Sequence, residues 1–310
     1  MSSILTNSAA MSALRTLSNT QQMLQTTENR ISSGLKVASA SDNAAYWSIA
    51  TTMQSDNKTL SSVSNALNLG SSLVDVATSA LTNSISNLQQ MQTDLVTAKN
   101  PGTDMSKIQS DISVLQSSLK SIATSASFSG QNWVSVDSAG SGTVGNASIV
   151  SSFSRSGNNV TVGTIDVNLD SVKLYDPNTG GSGASGILDK SRTVNSTTAS
   201  IATIDVSSLT GSAADQQTLS DYSQMVDDAL KEMTTASATL GATKNSVTIQ
   251  QNFISSLTDA VTKGVGALVD ADMNQESTKL QALQVQQQLG IQSLSIANQN
   301  SQMILKLFGG

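Results

Sequence analysis

The stretch "YWSIATTMQSDNKTLSSVSNALNLGSSLVDVATSALTNSISNLQQMQTDL", residues 46–95, decides the architecture. Within it Tyr46, Met53, Leu60, Leu67, Val74, Leu81, Leu88 and Leu95 recur every seven residues. The positions three further on, Ile49, Val63, Ala77, Met91 and Ala98 among them, are mostly small or apolar. A stripe that alternates steps of three and four over so many repeats holds one face of a helix against a partner lying alongside at a shallow angle. The partner stripe is in the other half of the chain, where Val226, Met233, Leu240, Val247, Ile254, Val261 and Leu268 also step by seven. At about 1.5 Å of rise per residue the two runs are roughly 75 and 65 Å long, a match that favours side-by-side pairing. A shorter helix is expected between them. Met105, Ile108, Ile112, Leu115, Leu119 and Ile122 follow the break "KNPGTD", where Pro101 and Gly102 stop one helix and Thr103 or Asp104 caps the next. Folded back on the first long helix, it makes a three-helix body.

Working outward, the chain ends are unusual. The first 27 residues hold one charge, Arg15, and "LQALQVQQQLGIQSLSIANQNSQMIL" (residues 280–305) holds none. Both ends carry apolar residues at helical spacing: Ile4, Met11, Leu14 and Leu17 in front, and Leu280, Leu283, Ile291, Leu294, Ile304 and Leu305 behind, with Phe308 beyond. Val285, Leu289, Ile296, Met303 and Leu307 add a second stripe on the last helix. A surface helix normally carries Lys and Glu on its outer side. Here more than one face is suited to burial, with Gln, Ser and Asn able to hydrogen-bond across to neighbours. One chain has too few long elements to cover such a pair, whereas further copies of the chain supply them. A frayed terminus is the alternative for the isolated chain, and the two readings are compatible if the ends fold on assembly.

The middle has a different texture. Residues 129–212 are rich in Gly, Ser, Thr, Val and Asn, between helical halves 1–128 and 213–310. Val160 and Val162 alternate, then Ile165, Val167 and Leu169 alternate in the opposite phase, so a bulge is expected at Gly163, with a hairpin turn at "SGNN" before it. "DPNTGGSGASG" (176–186) reads as loop and "ASIATIDVSSL" (199–209) as a further strand. So small an insertion is marginal by itself.

Composition removes several functions. Of 310 residues none is Cys or His, which excludes disulfides, thiolate metal sites, Cys nucleophiles and the HExxH protease motif. The net charge of −6 argues against a phosphate-binding surface, hence against nucleic acid. No window approaches the roughly 20 apolar residues that span a bilayer, so no membrane insertion is expected. No residue stands out as catalytic or metal-ligating, no cofactor is implied, and the chain does not read as an enzyme.

"NRISSGLKVASASDNAAYWSIATTM" (29–53) resembles the N-terminal signature of bacterial flagellins, and "ALVDADMNQESTKLQALQVQQQLGIQSLSIANQNSQMILKLF" (267–308) resembles their C-terminal signature. "SASFSGQNW" (125–133) is similar to the family's exit from its helical domain, and "AAYWSIATTM" looks most like short alphaproteobacterial flagellins. The resemblance implies a mainly α fold with an inserted β-rich outer domain. Residues 1–42 with 270–310 would be a terminal helical filament core, 43–130 with 213–269 a helical-bundle tube domain, and 131–212 a variable outer domain. The function implied is that of a structural subunit, exported unfolded through the flagellar type III apparatus and self-assembling into the extracellular filament. Implied partners are other copies or sister flagellins, an export chaperone on the C-terminal helix, and the cap and hook-junction proteins. A hook–filament junction protein is the rival reading.

The resemblance also marks residues 30–43 as a spoke from core to tube. Gly34 would interrupt the first helix, Asp42 or Asn43 would cap the next, and Arg30, Lys36 and Asp42 would make polar contacts within or between subunits. Flagellins detected by the animal innate flagellin receptor usually carry arginines near "NLQQMQTDL" (87–95). This chain has Gln89, Gln90 and Gln92 there, so weak or absent activation of that receptor is expected.

Overall fold

The computed structural model describes residues 7–138, 144–157, 159–177, 184–210 and 212–308. Five helices carry most of it: α1 (Ser8–Ser33), α2 (Ala44–Ala98), α3 (Met105–Ser125), α4 (Ala213–Val269) and α5 (Met273–Phe308). The two heptad stretches therefore lie in unbroken helices of 55 and 57 residues. Contacts sort the chain into two compact units, residues 59–257 and residues 1–58 with 258–310.

In the unit 59–257, α2 and α4 run antiparallel. Gln251 Nε2 donates to Asn68 Oδ1 at 2.9 Å, and Lys244 pairs with Asp75. The heptad residues between them are buried as the spacing requires: Leu60, Leu67, Val74, Leu81, Leu88 and Leu95 on α2, and Val226, Met233, Leu240, Val247 and Ile254 on α4. Burying each such side chain contributes about 1.5–3 kcal/mol. Of the two candidate caps of α3, Asp104 serves, its carboxylate accepting the Ser106 N–H at 3.1 Å. α3 folds back on α2, where Asn87 Nδ2 donates to Ser118 Oγ at 3.0 Å and Ile108, Ile112, Leu119 and Ala123 are buried.

Among the described residues, the region between the helical halves holds three separate antiparallel pairs: β1 (Ser127–Phe128) with β2 (Gln131–Asn132), β3 (Asn146–Ser156) with β4 (Asn159–Asn168), and β5 (Arg192–Val194) with β6 (Thr197–Ala199). Two-stranded ribbons are marginal in water, and the inserted segments pack on or hydrogen-bond to the helices. Gly70 of α2 sits against Ile149 of β3, whose Cγ2 would lie 2.4 Å from a Cβ at residue 70. Gln116 Nε2 donates to the carbonyls of Ile201 and Ile204, both at 3.0 Å, while Gln109 Oε1 accepts the Val206 N–H at 2.7 Å. Arg192 grips Glu232 of α4 with two nitrogens, at 3.1 and 2.8 Å, a paired geometry stronger than a single contact.

Two details of the insertion differ from the sequence reading. The bulge lies on β3, where the register shifts between Val150 and Ser152, opposite Gly163 and Thr164. β4 itself is continuous, so Val160 and Val162 face the opposite side from Ile165 and Val167 and remain exposed. Ser152 approaches Gly163 so closely that a Cβ there would lie 2.3 Å from its Oγ. The second difference is at 199–209, where only Ala199 is in a strand. Ile201–Thr203 forms a 3-10 turn, held by Ser200 and Thr203, and buries Ile201 and Ile204. The Asn158 position of the expected hairpin turn, and residues 178–183 of the expected loop, lie outside the described residues.

The start of α4 is a capping box. Ser212 Oγ accepts the Asp215 N–H at 3.2 Å, and Asp215 Oδ2 accepts from Ser212 N–H at 3.0 Å and Thr210 N–H at 2.9 Å. These donors, the Thr210 N–H first, hold the Asp215 carboxyl down at about 2.

Four residues read as bundle core are not enclosed. Tyr46 is 46% exposed, and Met53, Val261 and Leu268 are half-buried. All four belong to the unit 1–58 with 258–310, where Ala50, Val37 and Val269 form the small buried cluster. A straight helix drifts about 20° per heptad against a strict seven-residue repeat, and here the buried line of α2 passes through Ala50 instead of Tyr46.

Candidate functional site

Within the unit 1–58 with 258–310, α1 and α5 lie antiparallel along their lengths. Asn7 caps α1 by accepting the Ala10 N–H at 3.0 Å, and its Nδ2 donates to the Ala297 carbonyl at 3.0 Å. Leu17 packs on Gly290, where a Cβ would be in ordinary contact with it. Thr20, Thr27 and Leu283 are buried, while Leu17, Leu280 and Leu294 are half-buried.

At the far end Arg30 Nη1 pairs with Glu276 Oε1 at 3.2 Å, the side chains 32% and 10% exposed. Arg30 lies in the last turn of α1 and Glu276 in the first turn of α5. Each charge therefore also sits at the helix end whose dipole favours it. Sequence reading named Arg30 but not Glu276, since nothing in "MNQES" marks the partner of a residue so distant in the chain.

The connection from α1 to α2 is built of backbone. Gly34 takes φ +72° and donates its N–H to the Arg30 carbonyl at 2.8 Å. Nothing lies within 4 Å of a Cβ built there, so the backbone conformation alone calls for Gly. Leu35 then bridges Asp270, with Lys36 N–H to the Val269 carbonyl at 2.7 Å and Ala271 N–H to the Gly34 carbonyl at 2.9 Å. Lys36 Nζ reaches the Ala267 carbonyl at 3.2 Å. Asp42 and Asn43 divide the capping work. Asn43 Oδ1 accepts the N–H groups of Ala45 and Tyr46 at the start of α2, both at 3.1 Å. Asp42 Oδ2 instead gathers the Ser39 N–H at 2.9 Å, the Ser39 hydroxyl at 3.0 Å and the Ala38 N–H at 3.1 Å. Those bonds, the Ser39 N–H foremost, hold the Asp42 carboxyl below the ordinary carboxylate range.

The other faces of the pair are bare. Met11 and Leu14 of α1 are 51% and 57% exposed, and Val285, Leu289, Ile291, Ile296 and Met303 of α5 are all more than half exposed. Ile4 and the side chains of Ile304, Leu305, Leu307 and Phe308 lie outside the described residues. Among the described residues no three Asp or Glu side chains gather as a metal would need, and no helix is long and apolar enough to cross a membrane. What the arrangement offers is a long apolar surface, poor in charge and suited to contact with other helices.

Residues 4–138 match the bacterial flagellin N-terminal helical region, and residues 223–308 match the bacterial flagellin C-terminal helical region. The chain is 45% identical over 329 residues to "Flagellin C" of Rhizobium meliloti (strain 1021), with 99% of each chain covered. The chain belongs to the bacterial flagellin family. It is also 42% identical over 311 residues to a flagellin of Brucella melitensis, with 100% of each covered, and 39% identical over 400 residues to "Flagellin D" of Rhizobium meliloti. This flagellin is a structural subunit of the extracellular bacterial flagellar filament, and the hook-junction reading is not favoured.

Proposed function

We propose that the α1–α5 pair is the polymer contact of this flagellin, with Met11, Leu14, Leu17, Leu280, Leu283, Ile291 and Leu294 in the core, continued by Ile4, Ile304, Leu305, Leu307 and Phe308. The observation that carries this is the row of bare apolar side chains on helices that hold almost no charge. Such a surface is costly in water and inexpensive to cover with a copy of itself. In this reading residues 1–42 with 270–310 form the filament core, 43–130 with 213–269 the surrounding tube, and 131–212 the outer domain. Arg30, Gly34, Lys36, Asp42 and Asn43 fix the spoke between core and tube.

The subunit is exported unfolded through the flagellar type III apparatus, with a chaperone on the C-terminal helix beforehand, and adds beneath a cap beyond the hook-junction proteins. A chain without Cys suits that route, because no crosslink interrupts the thread. It has no catalytic role. A strain lacking this gene is expected to show bare hooks by electron microscopy, or shortened filaments where a sister flagellin is present. Full-length filaments in that strain, or shedding of monomer into the medium, would overturn the filament-subunit role.

Recognition by the animal flagellin receptor is expected to be weak. Gln89 and Gln90 are exposed on α2, Gln90 Nε2 donates to Asp94 Oδ1 at 3.0 Å, and Gln92 is half-buried. A hydrogen bond to a charged group is worth about 1.5–3 kcal/mol, so amides in place of arginines lower potency by roughly tenfold or more. Reporter cells are expected to respond at least that much less than to an arginine-bearing flagellin, and an equal response would refute it.

A further inference from the structure

The inserted region docks on two helices by different chemistry. On the α3 side the bonds join neutral groups. Gln116 Nε2 donates to the Ile201 and Ile204 carbonyls, Gln109 Oε1 accepts the Val206 N–H, and Ile201, Ile204 and Val206 are buried. On the α4 side carboxylates make the contact. Glu232 takes Lys190 Nζ at 2.7 Å and both terminal nitrogens of Arg192. Asp221, 2% exposed, accepts from Asn195 Nδ2 at 2.7 Å and from Thr197 Oγ1 at 2.9 Å. Asp221 and Glu232 lie three turns apart on one face of α4, about 16 Å along it. The β5–β6 hairpin is therefore tied to α4 both at its base and at its tip.

We propose that the β5–β6 hairpin is an acid-released strap, which leaves α4 when Glu232 and Asp221 gain protons while residues 201–206 stay on α3. A carboxylate that gains bonds only in the folded chain lends stability above the ordinary carboxylate range, and that stability is lost as pH falls through its folded value. Burial raises the Glu232 carboxyl, but the bonds from Arg192 and Lys190 outweigh it and hold the group below its ordinary value. At Asp221 burial is outweighed in the same way by the bonds from Asn195, Gln217 and Thr197. The charges acting on Glu232 are those of Lys190 and Arg192, and the groups bonded to Asp221 are uncharged. One turn earlier on α4, Asp227 and Asp228 are engaged by Lys231. Once Glu232 is neutral, the Arg192 guanidinium, 10% exposed, has lost its counter-ion, and a cation so enclosed is costly to keep in place. Asp189, next to Lys190 in the chain, responds the opposite way. Burial first, and the Asp176 carboxylate beside it, push its carboxyl up, so acid relieves it. The Gln109 and Gln116 contacts contain no ionisable group. Acid thus loosens one side of the inserted region and spares the other.

Lys190 and Arg192 are the only basic residues between Lys173 and Lys231, so trypsin reports directly on the strap. In the full-length monomer at neutral pH, Glu232→Gln is expected to speed cleavage after Arg192 at least about tenfold, because cutting follows the open population. The helical signal should be unchanged. No acceleration, or an equal acceleration after Lys107 and Lys120 of α3, overturns the proposal. The unsubstituted monomer gives a second reading that needs no variant. Hydrogen exchange, corrected for its intrinsic rate, is followed between about pH 7 and pH 3. Amides of residues 192–199 are expected to lose protection at least about tenfold at a pH where Val206 and the α2 and α4 amides change less than about twofold. Simultaneous loss along 192–206, or protection at 192–199 that lasts until the bundle unfolds, overturns the proposal. Asp221→Asn combined with Glu232→Gln removes both titrating groups and is expected to flatten the pH response of 192–199. A response that persists in that variant assigns the opening to other carboxylates and refutes the strap.

Discussion

Deleting residues 1–33 and 273–310 is expected to abolish filament formation while leaving the unit 59–257 folded. The deleted helices contain Met11, Leu14, Val285, Leu289, Ile291, Ile296 and Met303, all exposed in the single chain. Covering each contributes about 1.5–3 kcal/mol, less the cost of association and of fixing side chains at the new interface. The remaining chain keeps its own core, from Leu60 to Leu95 on α2 and from Val226 to Ile254 on α4. Pelleting assays should therefore show polymer reduced at least a hundredfold, and circular dichroism should show a cooperative melt of the helical remainder. A trimmed chain that still builds ordinary fibres would mean that the contacts between subunits lie elsewhere.

The bundle was legible in the sequence because its signal is periodic and internal to each helix. Steps of seven from Leu60 to Leu95 are all buried, as are those from Val226 to Ile254. Beyond those limits the same letters carry a different outcome. Tyr46 continues the pattern, but its turn of α2 is buried through Ala50, and periodicity alone does not register a drift of the buried face. Gly34 and Asn43 were readable because a left-handed residue and a helix cap have local chemistry. Glu276 was not, since its partner Arg30 is brought to it only by the α1–α5 pairing. The bulge misled for a related reason. Gly163 marks the close approach of the Ser152 hydroxyl, but the extra residue belongs to β3, and a strand does not announce what its neighbour does. The stretch 199–209, with Ile201, Ile204 and Val206, reads as a strand, yet Ser200 and Thr203 bond each other and turn residues 201–203 into a 3-10 segment. Gln109 and Gln116 then take up the backbone groups left over.

This contrast between periodicity and enclosure gives the second large effect. Leu81→Ala and Tyr46→Ala alter residues five heptads apart in one stripe, but Leu81 is 0% exposed and Tyr46 is 46% exposed in the single chain. Truncating a fully buried Leu removes its transfer free energy and leaves a cavity, a cost of about 2–5 kcal/mol. For a unit of this size each kcal/mol shifts the melting midpoint by about 2–4 °C, so Leu81→Ala is expected to lower it by roughly 5–15 °C. Tyr46→Ala leaves no comparable cavity and is expected to cost the monomer less than about 1 kcal/mol, as surface substitutions do. Thermal melts of the two monomeric variants, followed at the helical signal, separate these outcomes. Equal shifts would mean that the stripe is enclosed along its whole length, and that Tyr46 has a partner in the single chain. If Tyr46→Ala instead spares the monomer but weakens the filament, its exposed ring belongs to a contact made only when subunits assemble.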